Sequence, residues 1–322
     1  MSDLLKSIEL QTDIAGKNRL ELLLFRIGGK QIYGMNVFKV REVMYCPKLC
    51  LIPGRHPAVK GVVHVRGYKT ISVVSLSKML NRNYLDDSQT NVLLITEYNR
   101  SLIGFLVSSV EEIIHTDWSA IETPPSGLSN THYLTAVTKQ NEKLVEIIDI
   151  EKVLDEVVPP NLVVSEEVLD EKHKAEAHEY TVLVAEDSGV ARRHIVSVLE
   201  QVGVQYILTH DGASALKKLL ELVEDQQPVT NKLLMMISDI EMPRMDGYTL
   251  VKKCREHPLL KDLYIILNSS ISGDFNRQMA SKVEANFFLA KISGEELGSL
   301  VVKRIKIACG EEVEDEDLEE MC

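Results

Sequence analysis

Two different rhythms of apolar and polar positions divide the chain near residue 180. Before it, short apolar runs come in pairs across turn residues. Glu21–Ile27 and Gln31–Gly34 flank Gly28-Gly29, and Val62–Val65 and Thr70–Val74 flank Arg66-Gly67-Tyr68-Lys69. Val92–Thr96 and Leu102–Val107 flank Glu97-Tyr98-Asn99-Arg100, and Leu134–Thr138 and Leu144–Ile148 flank a turn at Gln140-Asn141. Each pair predicts a β-hairpin. The short segments Leu76–Leu80 and Glu151–Val157 close two successive sets of strands, the second with helical character. Residues 1–157 are therefore expected to be all-β, as two small barrels packed together.

From Tyr180 the rhythm changes. Val182–Ala185, Tyr206–Leu208, Leu233–Ile237, Leu263–Leu267 and Phe287–Leu289 are continuous apolar runs. Segments with helical spacing alternate with them: Val190–Val202, Ala213–Val223, Tyr248–Glu256, Phe275–Val283 and Glu295–Ile307. Five unalternating strands interleaved with five helices predict a doubly wound parallel sheet covered on both faces over residues 180–308.

Charge adds the boundary between the two halves. The formal charge of the 322-residue chain is −12, and it is unevenly placed. Residues 158–179, which open on Pro159-Pro160, hold six acids and two bases; residues 311–322 hold eight acids and no base. These read as a solvated acidic linker (158–179) and a disordered acidic tail (309–322). Residues 26–82 carry eleven bases and the single acid Glu42, so the first half can present a basic surface. No helix-turn-helix or zinc-finger pattern accompanies that charge, so nucleic acid is not the obvious partner, and an acidic protein surface would serve equally well.

The five cysteines are odd in number and scattered, and the amino terminus lacks a basic-then-apolar signal. Reduced thiols and a cytoplasmic location are expected, and no apolar stretch is long enough to cross a bilayer. Cys46 and Cys50, with His56 and His64 nearby, have no second ligand pair at a zinc spacing. Gly28-Gly29 belongs to no phosphate-binding sequence, so it is a turn.

The chemistry lies at the predicted carboxyl ends of the parallel strands, where such sheets bind ligands. Glu186 and Asp187 follow the first strand, Asp239 the third, Ser269 and Ser270 the fourth, and Lys291 the fifth. Acids gathered there repel unless a cation is present, and the donor set suits Mg²⁺. With a carboxylate nucleophile, a hydroxyl and a lysine, the parts resemble a phosphoryl-transfer site. Ser188 reads instead as a helix cap.

On these residues the segment 180–308 resembles a response-regulator receiver domain of flavodoxin-like fold. VLVAEDS matches the family's acidic pair, SDIEMPRMDG its phosphoacceptor segment, LNSS its hydroxyl, and FFLAK its switch aromatic and lysine. The resemblance implies Asp239 as phosphoacceptor, with Lys291 and Ser269 assisting and Phe288 and Ser269 as the switch pair. It implies Mg²⁺ held by Asp187, Asp239 and the backbone carbonyl of Glu241, with Glu186 acting through water. Ile292 stands where the family has proline, and Ser269 where threonine is commoner. Glu241 and Ile271 occupy the positions flanking the attacking water, so slow self-dephosphorylation is expected, and Ile271→Glu should shorten the phosphate lifetime.

The first half resembles CheW, the chemotaxis scaffold built from a pair of SH3-like barrels that joins receptors to the histidine kinase CheA. LLFRIGGKQIYGMNVFKVREV, IPGRHPAVKGVVHVRGYKTISVVSLSKML and LIGFLVSSVEEII carry the likeness, which extends through VEIIDIEKVL. It implies receptor or kinase docking through Arg66, Val40 and Glu42. Ser75 replaces the family's usual aspartate, and Trp118 reads as packing. A CheW-like domain followed by a receiver is the arrangement of CheV-type coupling proteins. The resemblance implies a cytoplasmic, non-enzymatic adaptor at receptor arrays on the inner membrane face. Its partners would be chemoreceptors, CheA and CheW, and phosphorylation of Asp239 would regulate it. A phosphate sink for CheA is the alternative; a metal-dependent phosphatase using Asp239 and Glu241 lacks a substrate-pocket motif.

Overall fold

The computed structural model describes residues 19–53, 56–65, 70–80, 92–98, 101–117, 120–122, 133–169, 176–269, 274–290 and 293–311. The chain divides into two compact units, one running to Pro159 and the other starting at Pro160.

Among the described residues, the N-terminal unit holds ten strands: β1 (Arg19–Arg26), β2 (Ile32–Asn36), β3 (Val40–Tyr45), β4 (Val59–His64), β5 (Thr70–Ser75), β6 (Val92–Tyr98), β7 (Ser101–Val107), β8 (Ser109–Asp117), β9 (Leu134–Gln140) and β10 (Lys143–Ile148). Helices α1 (Leu76–Met79) and α2 (Ile150–Val157) follow β5 and β10. The strands form two five-stranded sheets, of order β8-β1-β2-β10-β9 and β3-β6-β7-β5-β4. All four expected hairpins form. The last turns one residue later than expected, with Asn141 and Glu142 both at positive φ.

The sheets do not follow one another along the chain. Hairpin β6–β7 joins β3, β4 and β5, whereas hairpin β1–β2 is completed by β8, β9 and β10. Parallel pairings β2–β10 and β5–β7 make these closures. The expectation of two successive strand sets is thereby corrected. The physical reason lies in burial. On β1, Leu20, Leu22 and Leu24 enter the core of their own sheet, while Leu23 and Phe25 enter a second core shared with Val74, Leu94 and Phe105 of the other sheet. On β6, Leu93 and Ile95 face their own core and Leu94 the shared one. Successive side chains of a strand point to opposite faces, so a strand between two cores is apolar throughout. Helix α2 sends Ile150, Val153 and Leu154 into the shared core.

In the C-terminal unit, strands β11 (Thr181–Ala185), β12 (Gln205–Thr209), β13 (Met235–Asp239), β14 (Ile265–Asn268) and β15 (Phe287–Leu289) alternate with helices α3 (Gly189–Val202), α4 (Gly212–Leu222), α5 (Gly247–Glu256), α6 (Asp274–Lys282) and α7 (Gly294–Ala308). All pairings are parallel, in the order β12-β11-β13-β14-β15. Val184, Ile237, Ile266 and Leu289 face one core with α3 and α7; Leu183, Met236 and Leu267 face the other with α4 and α5. Ser188, Asp211, Asp246 and Ser293 accept hydrogen bonds from the first-turn amides of α3, α4, α5 and α7. Each such cap contributes about 1 kcal/mol.

The acidic segment expected to be a solvated linker is only partly one. Residues 160–169 lie against α3 and α7, and Val164 and Ala177 are buried in the core between those helices. Residues from Pro160 onward therefore group by contact with the C-terminal unit. Apolar side chains outweigh the flanking acids here, because a partner groove exists that composition does not reveal.

Candidate functional site

The strand order reverses between β11, β12 and β13, which opens a crevice at the carboxyl ends of β11 and β13. The first residues beyond β11 are Glu186 and Asp187, and β13 ends on Asp239. Carboxylate oxygens of Glu186, Asp187 and Asp239 lie within 4.8 Å of one another; among the described residues this is the cluster of metal-ligating side chains. Glu186 is buried, Asp239 half-buried and Asp187 exposed. At such a separation each pair of charges repels by about 3 kcal/mol at an effective dielectric near 20, less where Asp187 meets water.

The chain holds these acids by backbone contacts. The Ser188 amide donates to Glu186 Oε1 at 3.0 Å, turning that carboxylate back on the loop. Arg192, one turn into α3, donates from Nη1 to the carbonyls of Glu186 at 2.7 Å and Asp187 at 3.2 Å. Beyond Asp239, the Ile240 amide donates to the Asn268 carbonyl and the Gly247 amide to the Ile240 carbonyl. Gly247 is so close that a Cβ there would lie 2.3 Å from the Asp239 carbonyl oxygen. Arg244, at positive φ, forms an ion pair with the buried Asp211, and the Gly212 amide donates to the Met245 carbonyl. The loop carrying Glu241 is thus tied to the start of α4.

Ser269 is buried directly after β14, its amide donating to the Leu289 carbonyl. Its hydroxyl accepts from Asn276 Nδ2 at 3.4 Å, and Asn276 Oδ1 in turn accepts from Tyr248 at 3.2 Å. Burial, followed by the charges of Glu241, Asp246 and Asp239, pushes the Tyr248 phenol well above its ordinary range, so it stays a donor. Burial likewise raises Asp246, the cap of α5. Phe288 is half-buried on β15 against the α4–α5 core. Lys291, Ile271 and Ile292 lie outside the described residues.

The structure therefore brings Glu186, Asp187 and Asp239 into one cluster, with Ser269 at the neighbouring strand end. Glu241 is half-buried in the loop two residues beyond Asp239. Ser188 is a cap, its Oγ accepting from the Ala191 amide at 3.3 Å. Sequence reading missed Arg192, Asn276 and the Asp211–Arg244 pair. Arg192 had a signal, being a base in the first turn of the helix behind the acid pair. Asn276 had none.

The expected docking residues belong to the other unit. Val40 and Glu42 lie on β3, an edge strand that the hairpin pattern did not predict. Val40 packs inward on the shared core and Glu42 is exposed, with Val43 and Tyr45 further along the same strand also exposed. Arg41 pairs with Glu97 of β6. Arg66 and Trp118 lie outside the described residues. Cys46, Cys50, Cys254 and Cys309 are free thiols, and the CPKLC segment does not assemble a metal-ligating group among the described residues.

Residues 21–158 match the CheW-like domain family, and residues 182–301 match the response regulator receiver domain family. Chemotaxis protein CheV3 of Helicobacter pylori is 32% identical over 302 residues, which cover 89% of this chain and 94% of that protein. This chain belongs to the CheV family of chemotaxis proteins. CheV1 of the same organism is 28% identical over 333 residues, covering 96% of this chain and all of CheV1. Among solved structures, the scaffolding protein CheW of Thermoanaerobacter tengcongensis is 27% identical with a TM-score of 0.37, covering 40% of this chain and 88% of that one. As a CheV-family member the chain unites a CheW-like domain and a receiver domain in one chemotaxis protein. No described helix is long and apolar enough to cross a membrane.

Proposed function

We propose that this CheV-family protein couples chemoreceptors to the histidine kinase CheA through its N-terminal unit, and that phosphorylation of Asp239 adjusts the coupling. The observation that carries this reading is the carboxylate cluster at the carboxyl edge of the parallel sheet. It gathers Glu186 and Asp187 from behind β11 with Asp239 from the end of β13. Such a set is costly without a cation and is useful for holding one beside a nucleophilic carboxylate.

In the proposed transfer, a carboxylate oxygen of Asp239 attacks the phosphorus of a phosphohistidine. One P–O bond forms, the P–N bond breaks, and its electron pair returns to the imidazole. Hard oxygen donors fit Mg²⁺: Asp187, Asp239 and the Glu241 backbone carbonyl would hold it, with Glu186 acting through water. When bound, the ion supplies positive charge against the phosphoryl oxygens. Arg192 and the Ser188 amide fix the acid pair, and the ties around Ile240 and Gly247 fix Asp239, so the site is organised before transfer. The Ser269 hydroxyl, positioned by Asn276, would donate to a phosphoryl oxygen, and Lys291 would balance its charge. Movement of Ser269 would let Phe288 change its packing, a two-state response to a local charge.

The protein then acts as an adaptor that accepts a phosphoryl group, not as a conventional enzyme. It would work in the cytoplasm at receptor arrays on the inner membrane face, beside CheA and CheW. On the N-terminal unit, the exposed edge strand β3 with Glu42 supports docking there, and Arg66 and Val40, which is half-buried with part of its side chain on the shared core, complete the proposed surface. Co-sedimentation with receptor membranes and CheA, with and without a phosphoryl donor, tests the reading for wild type, Arg66→Ala and Asp239→Ala. Arg66→Ala should lose binding, and Asp239→Ala should bind but ignore the donor. Equal donor response in wild type and Asp239→Ala would refute it.

A further inference from the structure

The segment between the two sheet systems is anchored by a dense set of contacts within the C-terminal unit. The Asn161 carbonyl accepts from the Gly294 amide at 3.1 Å. Gln201 of α3 grips the next residues from both sides: its Nε2 donates to the Leu162 carbonyl at 2.8 Å, and its Oε1 accepts from the Val164 amide at 3.1 Å. Ser165 donates from its amide and hydroxyl to the two oxygens of Glu295, at 3.0 and 2.8 Å. Val164 is buried, and Leu162, Val168 and Leu169 pack on the same core.

Two glycines of α7 make the fit. A Cβ on Gly294 would lie 2.3 Å from the Leu162 carbonyl carbon, and one on Gly298 would lie 2.7 Å from Val164 Cγ1. The backbones are in direct contact, so a displacement of the start of α7 is passed on to the segment rather than absorbed by empty space. That start is covalently next to Lys291: Ile292 and Ser293 alone separate it from Gly294.

We propose that residues 160–169 are a strap, docked on α3 and α7 while Asp239 is unmodified and released when Asp239 carries a phosphoryl group. The inference rests on Asp239 being the phosphoacceptor, and it names how the modification reaches the other unit. Helix α2 ends at Val157 and the strap is first held at Asn161. With the strap docked, the free chain is residues 158–160, a reach of about 10 Å; with it released, residues 158–169 reach about 40 Å. A longer tether lowers the effective concentration of one unit near anything bound to the other. Phosphorylation thus changes coupling by lengthening the connection, without a change inside the CheW-like domain.

Hydrogen–deuterium exchange on the full chain tests this, with Mg²⁺ and beryllium fluoride as phosphoryl mimic. Amides of Val164, Ser165 and Gly294 should exchange at least about tenfold faster with the mimic, as removal of two or three hydrogen bonds requires. Asp239→Ala should show no such change. Gln201→Ala, which removes two strap hydrogen bonds, should speed the same amides about tenfold without the mimic. Gly298→Val should do so as well. Slowed exchange in residues 240–247 reports binding of the mimic independently. If those residues respond and the strap amides do not, the strap proposal is wrong while the phosphoacceptor reading stands. If residues 240–247 do not respond either, the phosphoacceptor reading fails and the release loses its trigger, although Gln201→Ala still reports the docking. Unchanged strap exchange in Gln201→Ala and Gly298→Val overturns the docking itself.

Discussion

Gly247→Ala places one methyl group where the site has no room for it. The added Cβ would meet the Asp239 carbonyl oxygen at 2.3 Å and Leu267 Cδ2 at 3.0 Å, against an ordinary contact of 3.4–4 Å. The obstructing atom is backbone, so relief needs a displacement of about 1 Å between the end of β13 and the start of α5, at the costly end of the overpacking range, about 3 kcal/mol. For a unit of this size that corresponds to about 10 °C in melting temperature, followed by the circular dichroism of its helices. Because the displaced strand end carries Asp239, acyl-phosphate labelling at a temperature where both proteins are folded should fall more than about tenfold, the sensitivity expected for a nucleophile moved by about 1 Å. Gly189→Ala is the control: at the first position of α3, its Cβ would find Arg192 Nη2 and Arg193 Nη1, both at 3.8 Å. It should be neutral or stabilise by about 0.5–1 kcal/mol. A Gly247→Ala protein that melts within about 2 °C of wild type and labels at the same rate would refute the close packing behind the phosphoacceptor.

Asp239→Asn removes one charge from the carboxylate cluster, so in EDTA it should raise stability by about 1–3 kcal/mol, and Mg²⁺ should stabilise wild type but not the variant; equal Mg²⁺ shifts in thermal melts would contradict the cluster's role. Burial raises the Asp246 carboxyl above its ordinary value, so the folded state favours its protonated form. Its contribution is full below about pH 4 and is lost as pH rises through the raised value. Urea titrations of wild type against Asp246→Asn should show that slope in the difference; a flat difference contradicts it. In the N-terminal unit, burial and the hydrogen bond to Glu156 push the Tyr133 phenol up to about 12. The stability it contributes is complete below about pH 10 and disappears as pH rises through about 12, and Tyr133→Phe should remove that pH dependence.

How much of this was legible in the sequence depended on where each residue's partners lie. The parallel sheet could be read because its three central strands are buried on both faces and emerge as unbroken apolar runs, with β15 found at its full length, Phe287–Leu289. The acids were visible because they stand directly after those runs. In the first half, hairpins were legible since both partners are local, yet the assignment of hairpins to sheets was not. That assignment depends on pairings such as Tyr33 with Glu146, which no local pattern encodes. Strands β3 and β8 escaped because edge strands such as VREVMY and SVEEIIHTD mix exposed apolar and charged positions. The strap was hidden by its acids; the retrospective signals are the apolar Leu162–Val164 run and the four-residue spacing of Gly294 and Gly298.

The proposed switch depends on one aspartate at the sheet edge taking up a phosphoryl group. Incubating the full chain with radiolabelled phospho-CheA and Mg²⁺, then mapping the hydroxylamine-labile label by mass spectrometry, tests it most directly. Rapid transfer to Asp239, abolished by EDTA and by Asp239→Ala, is the predicted result. Label that stays on the kinase, or that reaches this protein equally well in Asp239→Ala, would overturn the proposed switch.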